Sequence, residues 1–130
     1  MSAPPSPAPP DPPRPRPYTP GVDLAPQLTP AQAGTALEEG ALAVDVREPE
    51  EWQAGHVDRS LWIPLGELQA RAGELPRDRP LVIVCRSGAR SGYAADALVA
   101  AGYDASNLAG GLHAWAAAAL PLVPAGGYAL

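Results

Sequence analysis

With 130 residues, one cysteine and a formal net charge of −5, the chain has length for one domain with a continuous apolar core and not for a second. Charges cancel within the first 26 residues (Asp11 and Asp23 against Arg14 and Arg16), so the remainder is acidic and lacks the basic face that nucleic acid or an anionic membrane requires. A lone cysteine excludes an internal disulfide, no run approaches the roughly 20 apolar residues that cross a bilayer, and residues 1–30 carry no secretory pattern, so the expectation is a soluble, cytoplasmic protein.

Of the 18 prolines, 11 fall in residues 1–26. Proline removes backbone donors, and this stretch has little apolar surface to offset ordering, so a disordered, partly polyproline II arm is expected there. Pro12-Pro13-Arg14-Pro15-Arg16-Pro17 has the composition of a ligand for an aromatic groove, but composition alone names no partner, and a solvated arm is the plainer reading. Deleting residues 1–26 is expected to leave activity intact.

The domain should open at about Gln27. Thr29 can cap a helix, Pro30 suits its first position and Gln32 completes a capping box; Ala33, Ala36 and Leu37 then share a face, and Gly40 stops the helix. Ala41 to Val46 is an apolar run of the length of a strand covered on both faces, and Leu81 to Val84 repeats it, which predicts a parallel sheet. Leu61 to Ile63 reads as a short strand between them, followed by a helix from about Gly66 with Leu68, Ala72 and Leu75 inward. A helix from about Arg90 to Ala101 has Ala94, Ala97, Leu98 and Ala101 on one face. Ala105 to Leu108 is a brief strand, and Leu112, Trp115, Ala116 and Ala119 mark a last helix ended by Pro121. This alternation predicts a doubly wound α/β domain with a parallel sheet and helices on both faces.

Ligands of open parallel sheets bind beyond the carboxyl ends of strands, and Cys85 directly follows the strand Leu81 to Val84. Arg86-Ser87-Gly88-Ala89-Arg90 then leads into a helix. Small residues let the backbone approach closely, Gly88 tolerates positive φ, and the helix amino end and two arginines favour an anion. The thiol should therefore ionise more readily than a free one. A lone cysteine is ordinarily an inert buried side chain; its place at a strand end, before a small-residue loop and a helix, argues for a nucleophile.

Five segments, in order, resemble single-domain rhodaneses. Cys85-Arg86-Ser87-Gly88-Ala89-Arg90-Ser91 is similar to the active-site loop of that family. Asp45-Val46-Arg47-Glu48 resembles its strand-end signature, and Glu51-Trp52 through Gly55-His56-Val57 the stretch that follows. Ile63-Pro64-Leu65 and Gly110-Gly111-Leu112-His113-Ala114-Trp115 resemble its later segments. The resemblance implies a rhodanese-like domain over residues 27–122 and a short tail over 123–130. One departure is Asp58-Arg59-Ser60, where the family usually has a proline-glycine-alanine turn.

The resemblance implies sulfur transfer: the Cys85 thiolate takes the outer sulfur of a donor such as thiosulfate, forms a persulfide and passes it to cyanide or a thiol. Kinetics should be ping-pong, and without a second cysteine the acceptor must come from outside. Arg86, Ser87, Gly88, Ala89 and Arg90 would bind the donor and hold the persulfide through side chains and amides. Asp45 and Arg47 either pair beside the site or support the strand end. His56 reads as structural, since an ionised thiol needs no base. No metal or nucleotide cofactor is expected, because the one cysteine and two histidines are scattered and no glycine-rich nucleotide loop follows a strand.

Two rivals remain. One is a non-enzymatic persulfide carrier or interaction module serving a sulfur-relay protein. The other is a phosphatase or arsenate reductase, disfavoured because related phosphatases put five residues between cysteine and arginine, whereas four separate Cys85 from Arg90.

Overall fold

A computed structural model describes residues 24–124 and Gly127. The proline-rich stretch up to residue 23 and most of the expected tail lie outside the described residues. The elements are β1 (Gln27–Leu28), α1 (Pro30–Glu38), β2 (Leu42–Asp45), α2 (Pro49–Ala54), β3 (Leu61–Trp62), α3 (Leu65–Arg71) with a 3-10 turn over Ala72–Glu74, β4 (Leu81–Val84), α4 (Ala89–Ala100), β5 (Ala105–Leu108) and α5 (Gly111–Ala117). The five strands form one parallel sheet in the order β1-β5-β4-β2-β3. This is the expected doubly wound α/β architecture, with β4 at the centre.

Alternation along β4 divides the core. Leu81, Ile83 and Cys85 join the cluster containing Leu68 of α3 and Ala94, Ala95 and Leu98 of α4. Val82 and Val84 join the other, with Ala33 of α1 and Leu112 and Trp115 of α5. Helices thus cover both faces, and β4 is buried at all four positions, the reason it reads as an unbroken apolar run. The capping box of α1 forms as its sequence indicates: Gln32 N–H donates to Thr29 Oγ1 at 3.2 Å, and Thr29 N–H to Gln32 Oε1 at 2.9 Å.

Two elements were not anticipated. Strand β1 has two residues and too little pattern to register, yet it pairs Gln27 with Asn107 and Leu28 with Leu108. Helix α2 has no buried residue, so it shows no apolar stripe; its signal was the proline at its start and a capping box between Glu48 and Glu51. The packed body also begins before Gln27. Ala25 is buried and donates its N–H to Asp96 Oδ1 at 2.8 Å, and Pro26 accepts from Asn107 N–H. A truncation that preserves the sheet edge therefore ends at residue 23. At the other end, Val123 forms an antiparallel bridge with His56, one residue past the expected limit at 122.

The atypical turn Asp58-Arg59-Ser60 closes locally. Arg59 takes a left-handed conformation (φ 62°), and Ser60 returns both its N–H and its hydroxyl to the Val57 carbonyl.

Candidate active site

The loop after β4 wraps its backbone around the Cys85 sulfur. Sγ accepts the Gly88 N–H at 3.1 Å and the Ser91 N–H at 3.3 Å, and the Ser91 hydroxyl lies 3.2 Å away. Gly88 makes this possible with φ 95°, a conformation natural to glycine. A Cβ on Gly88 would also press on Gly110 N at 3.1 Å and Leu108 O at 3.2 Å.

The opposite side of the loop is held by α5. Leu112 N–H donates to the Cys85 carbonyl at 2.8 Å and His113 N–H to the Arg86 carbonyl at 3.1 Å. With their carbonyls committed to α5, these peptides are fixed in orientation. Gly111, at φ 62°, permits the approach; a Cβ there would overlap the Arg86 carbonyl and lie 2.6 Å from the Cys85 carbonyl oxygen. The double glycine before Trp115 is thus part of the loop's support.

Cys85 is fully buried. Burial pushes its thiol up, but the Ser91 hydroxyl and the N–H groups of Ser91, Gly88 and Ser87 favour the thiolate, and the net displacement is downward from the ordinary value. The lowering expected from the sequence therefore has backbone and hydroxyl donors as its cause, more than the arginines that flank the loop.

Those arginines have partners of their own. Arg90 meets Glu51 of α2 in a two-armed contact, Nη1 to Oε1 and Nη2 to Oε2, both 2.8 Å. This pairing holds the Glu51 carboxyl below the usual range and raises the Arg90 guanidinium. Arg86 is exposed and donates from Nε to His113 Nε2 at 3.1 Å. Ser87 and Ala89 are exposed on the loop, Gly88 and Arg90 half-buried.

Asp45 and Arg47 form a fully buried ion pair at the end of β2, next to β4. Arg47 donates from Nε and Nη2 to the carboxylate at 2.9 to 3.1 Å, and Nη2 also reaches the Gly55 carbonyl at 2.7 Å. No bond runs from either residue to the sulfur, so the pair ties β2 to the end of α2. His56 is likewise a packing element: Nδ1 lies 2.8 Å from the Trp52 carbonyl and its ring stacks on Trp52 at 3.6 Å.

Three residues at the site, Ser91, Asn107 and Gln27, were not singled out as candidates from sequence. Ser91 is fully buried and its hydroxyl lies 2.6 Å from Asn107 Oδ1; Asn107 Nδ2 donates to the Gly88 carbonyl at 3.0 Å and to Gln27 Oε1 at 2.9 Å. The one sequence signal available was an asparagine inside the short strand Ala105 to Leu108, which must find partners if that strand is covered. Among the described residues no three histidine, cysteine, aspartate or glutamate side chains are grouped to hold a metal ion, and no helix is long and apolar enough to cross a membrane.

The family model described as the rhodanese-like domain matches residues 29–118. The chain belongs to this family. A sulfurtransferase of Allochromatium vinosum is 44% identical over 86 residues, covering 65% of this chain and 80% of that protein. The thiosulfate sulfurtransferase GlpE of Pseudomonas syringae is 34% identical over 90 residues, covering 68% and 85%. Among solved structures, a rhodanese-related protein from Thermoplasma volcanium has a TM-score of 0.72 and 28% identity, covering 75% of this chain and 97% of that one. This rhodanese-like domain thus shares the fold, and the stretch matched by the family model contains strands β2 to β5 and the entire loop from Cys85 to Ser91.

Proposed function

We propose that this rhodanese-like domain is a sulfurtransferase that carries sulfane sulfur on Cys85. The observation that carries the reading is the sulfur at the end of β4 with donors from Gly88 and Ser91 converging on it. That arrangement favours an anion on sulfur and suits a nucleophile ionised before its substrate arrives.

With thiosulfate as donor, the Cys85 thiolate attacks the outer sulfur. A new sulfur–sulfur bond forms, the original one breaks, and sulfite leaves with the bonding pair. The persulfide then carries the negative charge on its outer sulfur. Amides of the first turn of α4, including Ala89 and Arg90, have no acceptor within the helix and are suited to receive that charge. A cyanide or thiolate acceptor attacks the outer sulfur, and Cys85 leaves as thiolate. Support for thiosulfate as donor comes from the name of the GlpE relative.

A carrier that loads from a partner protein is the second reading, and one observation favours it. Arg90 is paired with the Glu51 carboxylate, while Arg86 keeps its charge and is hydrogen-bonded to His113, which leaves one free positive charge for a small dianion where the sequence suggests two.

The test is direct. The protein is incubated with thiosulfate, freed of excess and weighed intact, then given cyanide while thiocyanate is assayed, with Cys85→Ser alongside. A gain of one sulfur that cyanide removes over many turnovers is the expected result. Loading without turnover, or loading only from a protein persulfide donor, supports the carrier, and absence of loading from thiosulfate and from a protein persulfide donor alike overturns both readings.

A further inference from the structure

The contacts around Ser91 contain a conflict over a single proton. Asn107 Nδ2 has two hydrogens, and both are used, on the Gly88 carbonyl and on Gln27 Oε1. The Gly88 carbonyl only accepts, so it fixes which way the amide faces: Oδ1 points at Ser91 and needs a donor. At 2.6 Å, with Oδ1 unable to donate, the hydrogen between the two oxygens belongs to Ser91. The same hydroxyl lies 3.2 Å from Cys85 Sγ. One hydroxyl hydrogen thus has two buried acceptors, Asn107 being 3% exposed and Cys85 fully covered.

We infer that Asn107 is a positioning residue that competes with the Cys85 sulfur for the Ser91 hydroxyl proton, so that Ser91 donates to Asn107 while the sulfur is a thiol and turns to the sulfur when it is a thiolate. In the thiol state the S–H donates to Ser91 Oγ, which donates to Asn107 Oδ1, and every buried group is satisfied. Ionisation sends the thiol proton to solvent, and Ser91 rotates to the thiolate. Asn107 Oδ1 is then left without a donor in a buried place, which costs free energy. Gln27 of β1 and the Gly88 carbonyl hold the amide, so the first strand of the sheet reaches the sulfur through two side chains.

The inference rests on the reading of Cys85 as the reactive sulfur, but concerns its ionisation and is tested without any sulfur donor. The charged and titratable groups around the sulfur are Arg86 of the loop, Arg90 of α4 with its partner Glu51 of α2, Glu48 before α2, the Asp45–Arg47 pair at the end of β2, and His113 of α5. They are the same in every variant, so differences report the Ser91 proton.

Because Cys85 is the sole cysteine, its ionisation is read cleanly from the pH profile of alkylation by iodoacetamide and from thiolate ultraviolet absorbance. Ser91→Ala removes a donor to the thiolate, so its midpoint should move up, with alkylation below the midpoint slower by roughly tenfold, about the effect of one hydrogen bond to a charged group. Asn107→Leu removes the competing acceptor, so its midpoint should move down. The double variant should match Ser91→Ala, and Ser91→Thr should restore the original profile. Midpoints that move in the same direction in both single variants, as a general loosening of the loop would cause, overturn the inference. Should Asn107→Leu not fold, the infrared S–H band of the thiol form decides. It should lie at the frequency of a donating thiol in the native protein and shift to that of a free thiol in Ser91→Ala; an unmoved band overturns the inference.

Discussion

Arg90 and Glu51 meet through two parallel contacts of 2.8 Å, across 39 residues of sequence, and so fasten α2 to the first turn of α4. The guanidinium is thereby turned toward a carboxylate at the loop's rim. Glu51→Gln keeps the shape and removes the charge, so thiosulfate should bind better and its KM should fall. Arg90→Ala leaves the carboxylate unopposed, so the KM should rise by roughly tenfold or more, the size of one charged hydrogen bond. Alkylation of Cys85 by neutral iodoacetamide should change little in either. Equal KM values in the two variants would remove the pair from donor selection.

The donors around the sulfur also predict how stability varies with pH. The Cys85 thiol ionises below its ordinary value of 9.0 in the folded chain, so folding favours the thiolate. The resulting stabilisation is complete above the unfolded thiol's value and is lost as pH falls through the folded one. The difference in Tm between the native protein and Cys85→Ser should therefore widen as pH rises through the folded thiol's midpoint, and level off at about pH 9, where the unfolded thiol also ionises. A difference independent of pH would mean that the donors do not favour the thiolate.

How much of this was legible beforehand follows from what each residue touches. The core strands were plain because β2 and β4 are covered on both faces, and the loop was plain because cysteine, small residues and a helix start are local signals. Helix α2 and strand β1 were not, since neither buries an apolar stripe. The destination of Arg90 was hidden for the same reason: its partner lies on a helix with no periodic pattern. Asn107 was hidden because its contacts, Ser91 and Gln27, come from 16 and 80 residues away, and only the register of β5 against β1 brings them together.

The Asp45–Arg47 pair, which sequence left between a role beside the site and one in support, has the contacts of a support. Both side chains are fully covered, and Arg47 Nη1 has no hydrogen-bond partner among the described residues. Asp45→Ala strips the charge that balances a buried guanidinium, and breaking such a pair from one side costs about 3–5 kcal/mol. Denaturant unfolding should show a loss of that order. Replacing both residues with apolar side chains of similar volume should cost less. A loss under about 1 kcal/mol for Asp45→Ala would place the pair among weak surface-type contacts.

Gly111 offers the sharpest test of how the loop is supported. Its Cβ-free backbone lets the first turn of α5 come close enough for Leu112 and His113 to donate to the carbonyls of Cys85 and Arg86. An added methyl group meets backbone atoms, which cannot swing aside as a side chain would, and φ 62° is costly for alanine in addition. Gly111→Ala should therefore displace α5 from the loop, lower stability by about 2 kcal/mol or more, and release the peptides that shape the sulfur's surroundings. Gly34, in α1, has open space where a Cβ would go, and Gly34→Ala should be neutral to slightly stabilising. Matching the two by thermal unfolding and by the pH profile of Cys85 alkylation separates support of the loop from a general intolerance of substitution. Only Gly111→Ala should alter the profile, and an unchanged profile in a folded Gly111→Ala protein would show that α5 does not set the loop's geometry.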